Sequence, residues 1–410
     1  MLGHQSVGAE CVTWSDQLTP FNPRFKDIYR SIAAPRDAKD CGASRDLGLE
    51  QARHVFLGAC GLLGEDPLWA DQAHWSVLEN GFGLGLNFLA CYQAWSNDPK
   101  RPTHLHYCAI EAYPVSQEDL LKSSSAFSEL NTLSEELQAQ YWGLTPGFHR
   151  LTLGQGHVHL TLCIGDVQDM LPQIQGHFDS IFLDGFDPQK NPQMWSELTM
   201  RGIASRAKWG AIAATWSVSA QVKNNLAAAG FVCVKRAGLP PKREALKATY
   251  CPTWRDQMFE PRPSSRTPTS QNSPIFGQNA NSDEVIIIGA GLAGASLAQS
   301  LAVRGIRVRV IDSLSGFELA AKRDNAFAPS TSTTSRLAPM NPRTPEQGAH
   351  GLPYGLFHPM NSRDDNMQSK MTRCGIRVLI STLERLKGLV EGDSYRICGV
   401  LEKKRMPPNK

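Results

Sequence analysis

Three glycines alternate behind an acid in "ENGFGLG", residues 79–85: Glu79, then Gly81, Gly83 and Gly85. This is not the G-x-G-x-x-G fingerprint, because Leu86 holds the slot of its third glycine, so cradling a pyrophosphate is not its obvious use. An acid-x-G-x-G loop suits a ligand without phosphates. Glycine lets the backbone approach closely, and the Glu79 carboxylate can meet a cationic amino-acid moiety. S-adenosylmethionine is such a ligand. Two more acids end the next strands, Glu111, placed to accept both ribose hydroxyls, and Asp166, at the adenine edge. Strand-terminal acids also cap helices, but three in register favour the cofactor reading. Asp184, in "SIFLDGFDPQKNPQMW", ends a fourth strand. Asp-Gly is a common turn former; here the carboxylate also faces the cleft, where it can hold an amine by its N–H and aim the lone pair for methyl transfer.

A second glycine loop, "VIIIGAGLAGASLA", does carry the dinucleotide spacing in Gly289, Gly291 and Gly294, with Asp312 ending the next strand as the ribose acid. No Cys/His cluster has metal-ligand spacing, and no metal site is expected.

Both loops need strands beneath them and helices behind them. Strands are expected at 76–79, 105–111, 158–164, 180–184, 211–216 and 231–235, with helices between several of them. Gly230 is placed to stop one helix, "SAQVKNNLAAAG". Such alternation predicts an α/β, doubly wound, Rossmann-like sheet with ligands at the carboxyl ends of its strands. At 410 residues two domains are the default. The expected division is a methyltransferase-type domain over 1–250, a Pro/Ser/Asn/Gln-rich linker over 251–283, and a partial nucleotide-binding Rossmann-type domain with disordered segments over 284–410.

The net charge of +3 does not by itself imply a nucleic-acid partner. Between Arg201 and Thr249, however, nine Lys/Arg face a single acid, Glu244, an excess that suits a polyanion or a solvated helix face about equally. The ten scattered cysteines read as reduced thiols of a cytoplasmic protein. The first residues lack the pattern of a signal peptide. The apolar run 285–303 reads as strand–turn–helix, and no membrane span is expected.

In this order, "ENGFGLGLNFL", "FDSIFLDGFDPQKNPQMW", "KRAGLPPKRE", "VIIIGAGLAGASLA" and "GLPYGLFHPMNSRDDN" resemble the bacterial bifunctional tRNA 5-methylaminomethyl-2-thiouridine biosynthesis proteins. The resemblance implies an N-terminal S-adenosylmethionine-dependent methyltransferase and a C-terminal FAD-dependent oxidase. The oxidase would remove the carboxymethyl group from 5-carboxymethylaminomethyluridine at the tRNA wobble position. The methyltransferase would then methylate the 5-aminomethyl group. It gives Glu79, Gly81, Gly83 and Gly85 the cofactor loop, Glu111 and Asp166 the ribose and adenine, and Asp184 catalysis. Lys235, Arg236, Lys242 and Arg243 are expected near tRNA phosphates. Asn80 and Leu84 depart from the residues usual in their slots. The second half is far shorter than the family's oxidase, so it is expected to be truncated, colourless and without oxidase activity. The alternatives are a small-molecule amine N-methyltransferase and a non-catalytic tRNA-binding module.

Overall fold

The computed structural model describes residues 10–15, 19–29, 32–33, 45–240, 242–253, 284–289, 292–311 and 366–386. Short strands come first. β1 (Thr13–Ser15), β2 (Thr19–Asn22) and β3 (Asp27–Ile28) make an antiparallel meander, and β4 (Ile32–Ala33) pairs with β5 (Arg45–Asp46). A one-turn helix, α1 (Gly48–Gln51), runs into a π-helical stretch, Ala52–Leu57.

Eight strands form the main sheet: β6 (His74–Glu79), β7 (His104–Glu111), β8 (Gly147–Leu153), β9 (Val158–Ile164), β10 (Phe178–Phe182), β11 (Ala207–Thr215), β12 (Phe231–Ala237) and β13 (Glu244–Tyr250). Their order is β12-β13-β11-β10-β6-β7-β9-β8. The central run β11-β10-β6-β7-β9 is parallel, while β13 runs antiparallel to both its neighbours and β8 antiparallel to β9. The sheet is therefore mixed rather than wholly parallel. All six strands expected from sequence are present, and β8 and β13 are additions.

Both faces of the central strands are buried, as parallel strands require. One core gathers Val77, Tyr107, Leu160 and Phe182 with Phe88 and Leu89 of α2 (Leu86–Asn97). The other gathers Leu78, Ile110, Cys163 and Ile181 with Met170, Met200 and Val222, from α5 (Val167–Met170), α6 (Glu197–Ala204) and α7 (Ala220–Ala228). Ser196 and Ser219 cap α6 and α7 through their side-chain oxygens. Gly230 follows α7 at φ +97°, the left-handed conformation expected of a helix stop. The first helical layer also holds α3 (Gln117–Ser124) and α4 (Asn131–Gln140).

The described residues 284–311 form a separate compact unit. In it β14 (Glu284–Ile288) pairs in parallel with β15 (Arg307–Ile311), and α8 (Leu292–Ala302) joins them. Gly289 sits at φ +101°. A Cβ on Gly294 would overlap the Gly289 carbonyl oxygen, so helix and strand approach here as only glycine allows. Gly291 and Asp312 lie outside the described residues, as do most of the linker expectation and the stretch 351–365. The last helix, α9 (Met367–Leu386), packs along β8, where Arg377 donates to the Gln140 carbonyl at 2.6 Å and lies 4.3 Å from the Trp142 ring. Sequence grouped 284–410 together; α9 instead covers the first unit's edge strand.

Candidate active site

A cavity of about 500 Å³ opens at the carboxyl ends of β6, β7 and β10. Its floor is the glycine loop. Gly81 passes so close to the end of β10 that a Cβ there would come within 2.5 Å of the Asp184 carbonyl oxygen. Gly85, at φ +72°, starts α2 in a left-handed conformation. The loop is tied across the sheet by Asn80 N–H donating to Phe182 O and Phe82 N–H donating to Ile110 O, both at 3.2 Å.

The acids divide by depth. Glu79, 0% exposed, lies beneath the cavity and is not among its lining residues. It accepts from Asn87 Nδ2 at 2.8 Å and from the Tyr107 hydroxyl at 2.9 Å. Burial, with Asp184 adding to it, pushes its pKa well above the carboxylate range. Direct contact with a cationic ligand was the sequence expectation; instead the side chain anchors Asn87. Glu111 does line the cavity. It accepts from the Gly83 and Tyr113 N–H groups at 2.8 and 2.9 Å, while burial lifts its pKa to about 7. Asp166 lines the cavity and also caps α5 through the Gln168 N–H, so the capping and ligand readings coexist.

Asp184 stands at the opposite wall. Its Oδ2 accepts from Asn87 Nδ2 at 2.7 Å, and its Oδ1 accepts from Gly185 N–H at 2.9 Å and Trp216 Nε1 at 3.1 Å. Burial raises its pKa, and these donors with Lys242 oppose the rise. One Asn87 amide thus ties Glu79 to Asp184. Nothing in the sequence flagged Asn87 or Trp216; the only signal is their distance from the acids once the strand order is known.

Asn80 is 1% exposed and lines the cavity, yet neither its Oδ1 nor its Nδ2 has a partner. A buried amide left unpaired is costly, and a polar ligand on the floor would satisfy it. The glycine cradle, the Glu111 carboxylate and this amide fit a molecule with hydroxyl and amino-acid groups, as S-adenosylmethionine has.

The N-terminal meander walls the mouth. Phe25 stacks on Phe186 at 4.8 Å, the Tyr29 ring lies over Gly83, and Asp27 accepts from the Asp187 N–H at 3.0 Å. Trp14 ties the same segment to α3 through Asp119 at 2.8 Å. Of the four basic residues expected at tRNA phosphates, Lys235 and Arg243 are exposed and Arg236 is half-buried. Lys235 pairs with Glu244 at 2.7 Å. Lys242 turns inward, with Nζ 3.0 Å from the Trp216 ring centroid, and lines the cavity. Among the described residues no cluster of His, Cys, Asp or Glu is arranged to hold a metal, and no helix is long and apolar enough to cross a membrane.

A mixed sheet whose parallel centre is wound in this order, a glycine loop after its first central strand and acids at the next strand ends define the class: a Rossmann-like domain of the S-adenosylmethionine-dependent methyltransferase type, followed by a dinucleotide-type unit. Family models agree, one described as S-adenosyl-L-methionine-dependent methyltransferase over residues 128–251 and one as FAD binding domain over 282–326. The chain is 44% identical over 405 residues to the tRNA 5-methylaminomethyl-2-thiouridine biosynthesis bifunctional protein MnmC of Paracidovorax citrulli, covering 98% of this chain and 55% of that one. It is 41% identical to the protein of the same name from an Acidovorax species, covering 96% of this chain and 53% of that one. The chain spans about half the length of the curated relatives it matches. Among solved structures, that of MNMC2 from Aquifex aeolicus gives a TM-score of 0.44 at 18% identity over 57% of this chain and 67% of that one, too loose a likeness to place any residue.

Proposed function

We propose that the first unit methylates the primary amine of 5-aminomethyl-2-thiouridine at the tRNA wobble position, with S-adenosylmethionine as donor. The observation that carries this reading is Asp184, a carboxylate fixed by three donors at a cavity wall, with lone pairs left to accept an amine N–H. Glycines 81, 83 and 85 with Glu111, Asp166 and Asn80 would hold the cofactor, which supplies an electrophilic methyl group. The chain's own part is to fix the amine, exclude water with the Phe25, Tyr29 and Phe186 wall, and receive the proton the nitrogen sheds. Relatives bearing the biosynthetic name support tRNA as the substrate, and Lys235, Arg236 and Arg243 are proposed to meet its phosphates. Incubating the protein with aminomethyl-bearing tRNA and methyl donor should yield the methylaminomethyl nucleoside on digestion. Methylation of free amines but not of tRNA would favour the small-molecule alternative, and cofactor binding without transfer would favour the binding module.

For the second unit, the match over 282–326 and the Gly289–Gly294 approach support FAD as the nucleotide. Sequence alone expects a colourless protein; the proposal is instead that purified protein carries a flavin absorbance band that scales with its concentration.

A further inference from the structure

Lys242 occupies a place that neither a phosphate contact nor a solvated loop explains. It lies in the connection between β12 and β13, where Lys242 N–H donates to Leu239 O and Gly238 N–H to Arg243 O, both at 2.9 Å. A Cβ on Gly238 would fall 2.6 Å from the Lys242 carbonyl oxygen, so this glycine lets the loop close and turn the lysine inward. Its ammonium sits 3.0 Å from the centre of the Trp216 ring, the same indole whose N–H donates to Asp184. Three carboxylates face it, those of Asp184, Asp27 and Asp187. Among the described residues none pairs with it directly, and Asp27 is already bound to Lys190 at 3.2 Å. An aromatic face thus holds a cation at the cavity wall, where an incoming amine would also be.

The chemistry shows what such a cation does. An amine beside a lone carboxylate holds its proton more tightly, and a protonated nitrogen has no lone pair to give. In the transfer the lone pair forms the N–C bond and the C–S bond breaks, its electrons passing to sulfur. The sulfonium becomes a thioether, and the new ammonium loses one proton to Asp184. The site needs Asp184 for orientation and something to offset its pull on the proton. We infer that Lys242 does this, disfavouring the ammonium form of the amine at Asp184 so that the nitrogen arrives neutral. This rests on reading the site as an amine methyltransferase. Burial lowers the Lys242 pKa to about 8 against the pull of the three carboxylates, so it remains charged at neutral pH, where the offset is needed.

Two measurements test the inference. The first is calorimetry of 5-aminomethyluridine binding in buffers of different ionisation enthalpy, which counts protons without any turnover. Wild type and Lys242→Arg should release close to one proton per amine bound at neutral pH, and Lys242→Met distinctly less. The second is the pH profile of methyl transfer. In Lys242→Met the acid limb should move up by about one unit, a loss of about tenfold at low pH that closes as pH rises, with Lys242→Arg restoring the limb. A merely structural role would lower the profile equally at every pH. Proton release indifferent to residue 242 overturns the inference even if methylation occurs. Release that follows residue 242 in a protein that methylates no amine upholds the electrostatic role and sinks the methyltransferase reading alone. Salt dependence of tRNA binding unchanged in Lys242→Met is also expected; a flatter slope would return this lysine to the phosphates.

Discussion

Glu111, the proposed ribose acceptor, shows how a cavity-lining acid can work against the fold that carries it. Burial lifts its pKa to about 7, against the N–H donors of Tyr113 and Gly83. An acid raised in this way costs stability as pH climbs. Between the ordinary carboxylate range and about 7 the folded chain keeps a proton that the unfolded chain has lost, and above that the penalty is complete. The shift corresponds to at most roughly 3 kcal/mol, and a glutamine there would give back about 1 kcal/mol because it accepts from only one of the two N–H groups well. Glu111→Gln should therefore stabilise the protein by about 2 kcal/mol above neutral pH and destabilise it by about 1 kcal/mol in acid, where only the hydrogen-bond loss remains, read by denaturant melts at two pH values. The same variant should bind S-adenosylmethionine more weakly, since the proposed ribose acceptor has lost its charge. A variant with unchanged affinity removes Glu111 from the ribose role. For Asp184→Asn the expectation is cofactor affinity near wild type and methyl transfer down by about 100-fold or more. Its amide would also face the Asn87 donor, at a cost of about 1 kcal/mol.

At the scale of elements, the carboxyl end of the sheet depends on two backbones nearly touching. The Gly81 position leaves no room for a methyl against the Asp184 carbonyl, and neither strand end has a flexible side chain to give way. Gly81→Ala should lift the loop from β10 and lose cofactor binding and transfer together, whereas Gly375→Ala, exposed on α9 with nothing nearby, should stabilise by about 1 kcal/mol. Titration calorimetry and thermal melts of the two variants decide it; a Gly81→Ala protein that binds cofactor normally would show that the approach is looser than drawn. The loop, the acids at strand ends and the Gly230 stop were legible because each has a local chemical signature. The two extra strands were not. β13 reads "EALKATY", residues that favour helix over strand, and only its slot between β11 and β12 makes it extended. The β8 stretch "GFHRLTL" alternates weakly, and it is paired only through its return into β9. Lys242 was misplaced for a related reason: counting charge along a chain does not tell which way a closed loop turns each one.

For the whole molecule, a net charge of +3 says little, and what matters is where uncompensated cations stand. Three proposed phosphate ligands lie on the β12–β13 hairpin, Lys235 and Arg236 on β12 and Arg243 in the loop that sends Lys242 into the cavity. Lys235 already pairs with Glu244, so its charge is partly spent, while Arg243 is exposed at the loop and Arg236 half-buried on β12. Each phosphate contact contributes roughly 0.7–0.9 to the slope of log affinity against log salt. Replacing Arg236 and Arg243 together by Gln should flatten the slope for tRNA by roughly 1.4–1.8, and Lys235→Gln alone by clearly less than one contact. The loop of this hairpin reaches the cavity through Lys242, so tRNA held on the hairpin would lie beside the site rather than remote from it. The double variant should therefore raise the tRNA concentration needed for methylation while leaving the rate at saturation near wild type. Fluorescence titrations across a salt series, run beside saturation kinetics, read both quantities. An unchanged slope would place the tRNA on another face, and a fall in the saturating rate at unchanged affinity would mean that the hairpin serves the chemistry and not the docking.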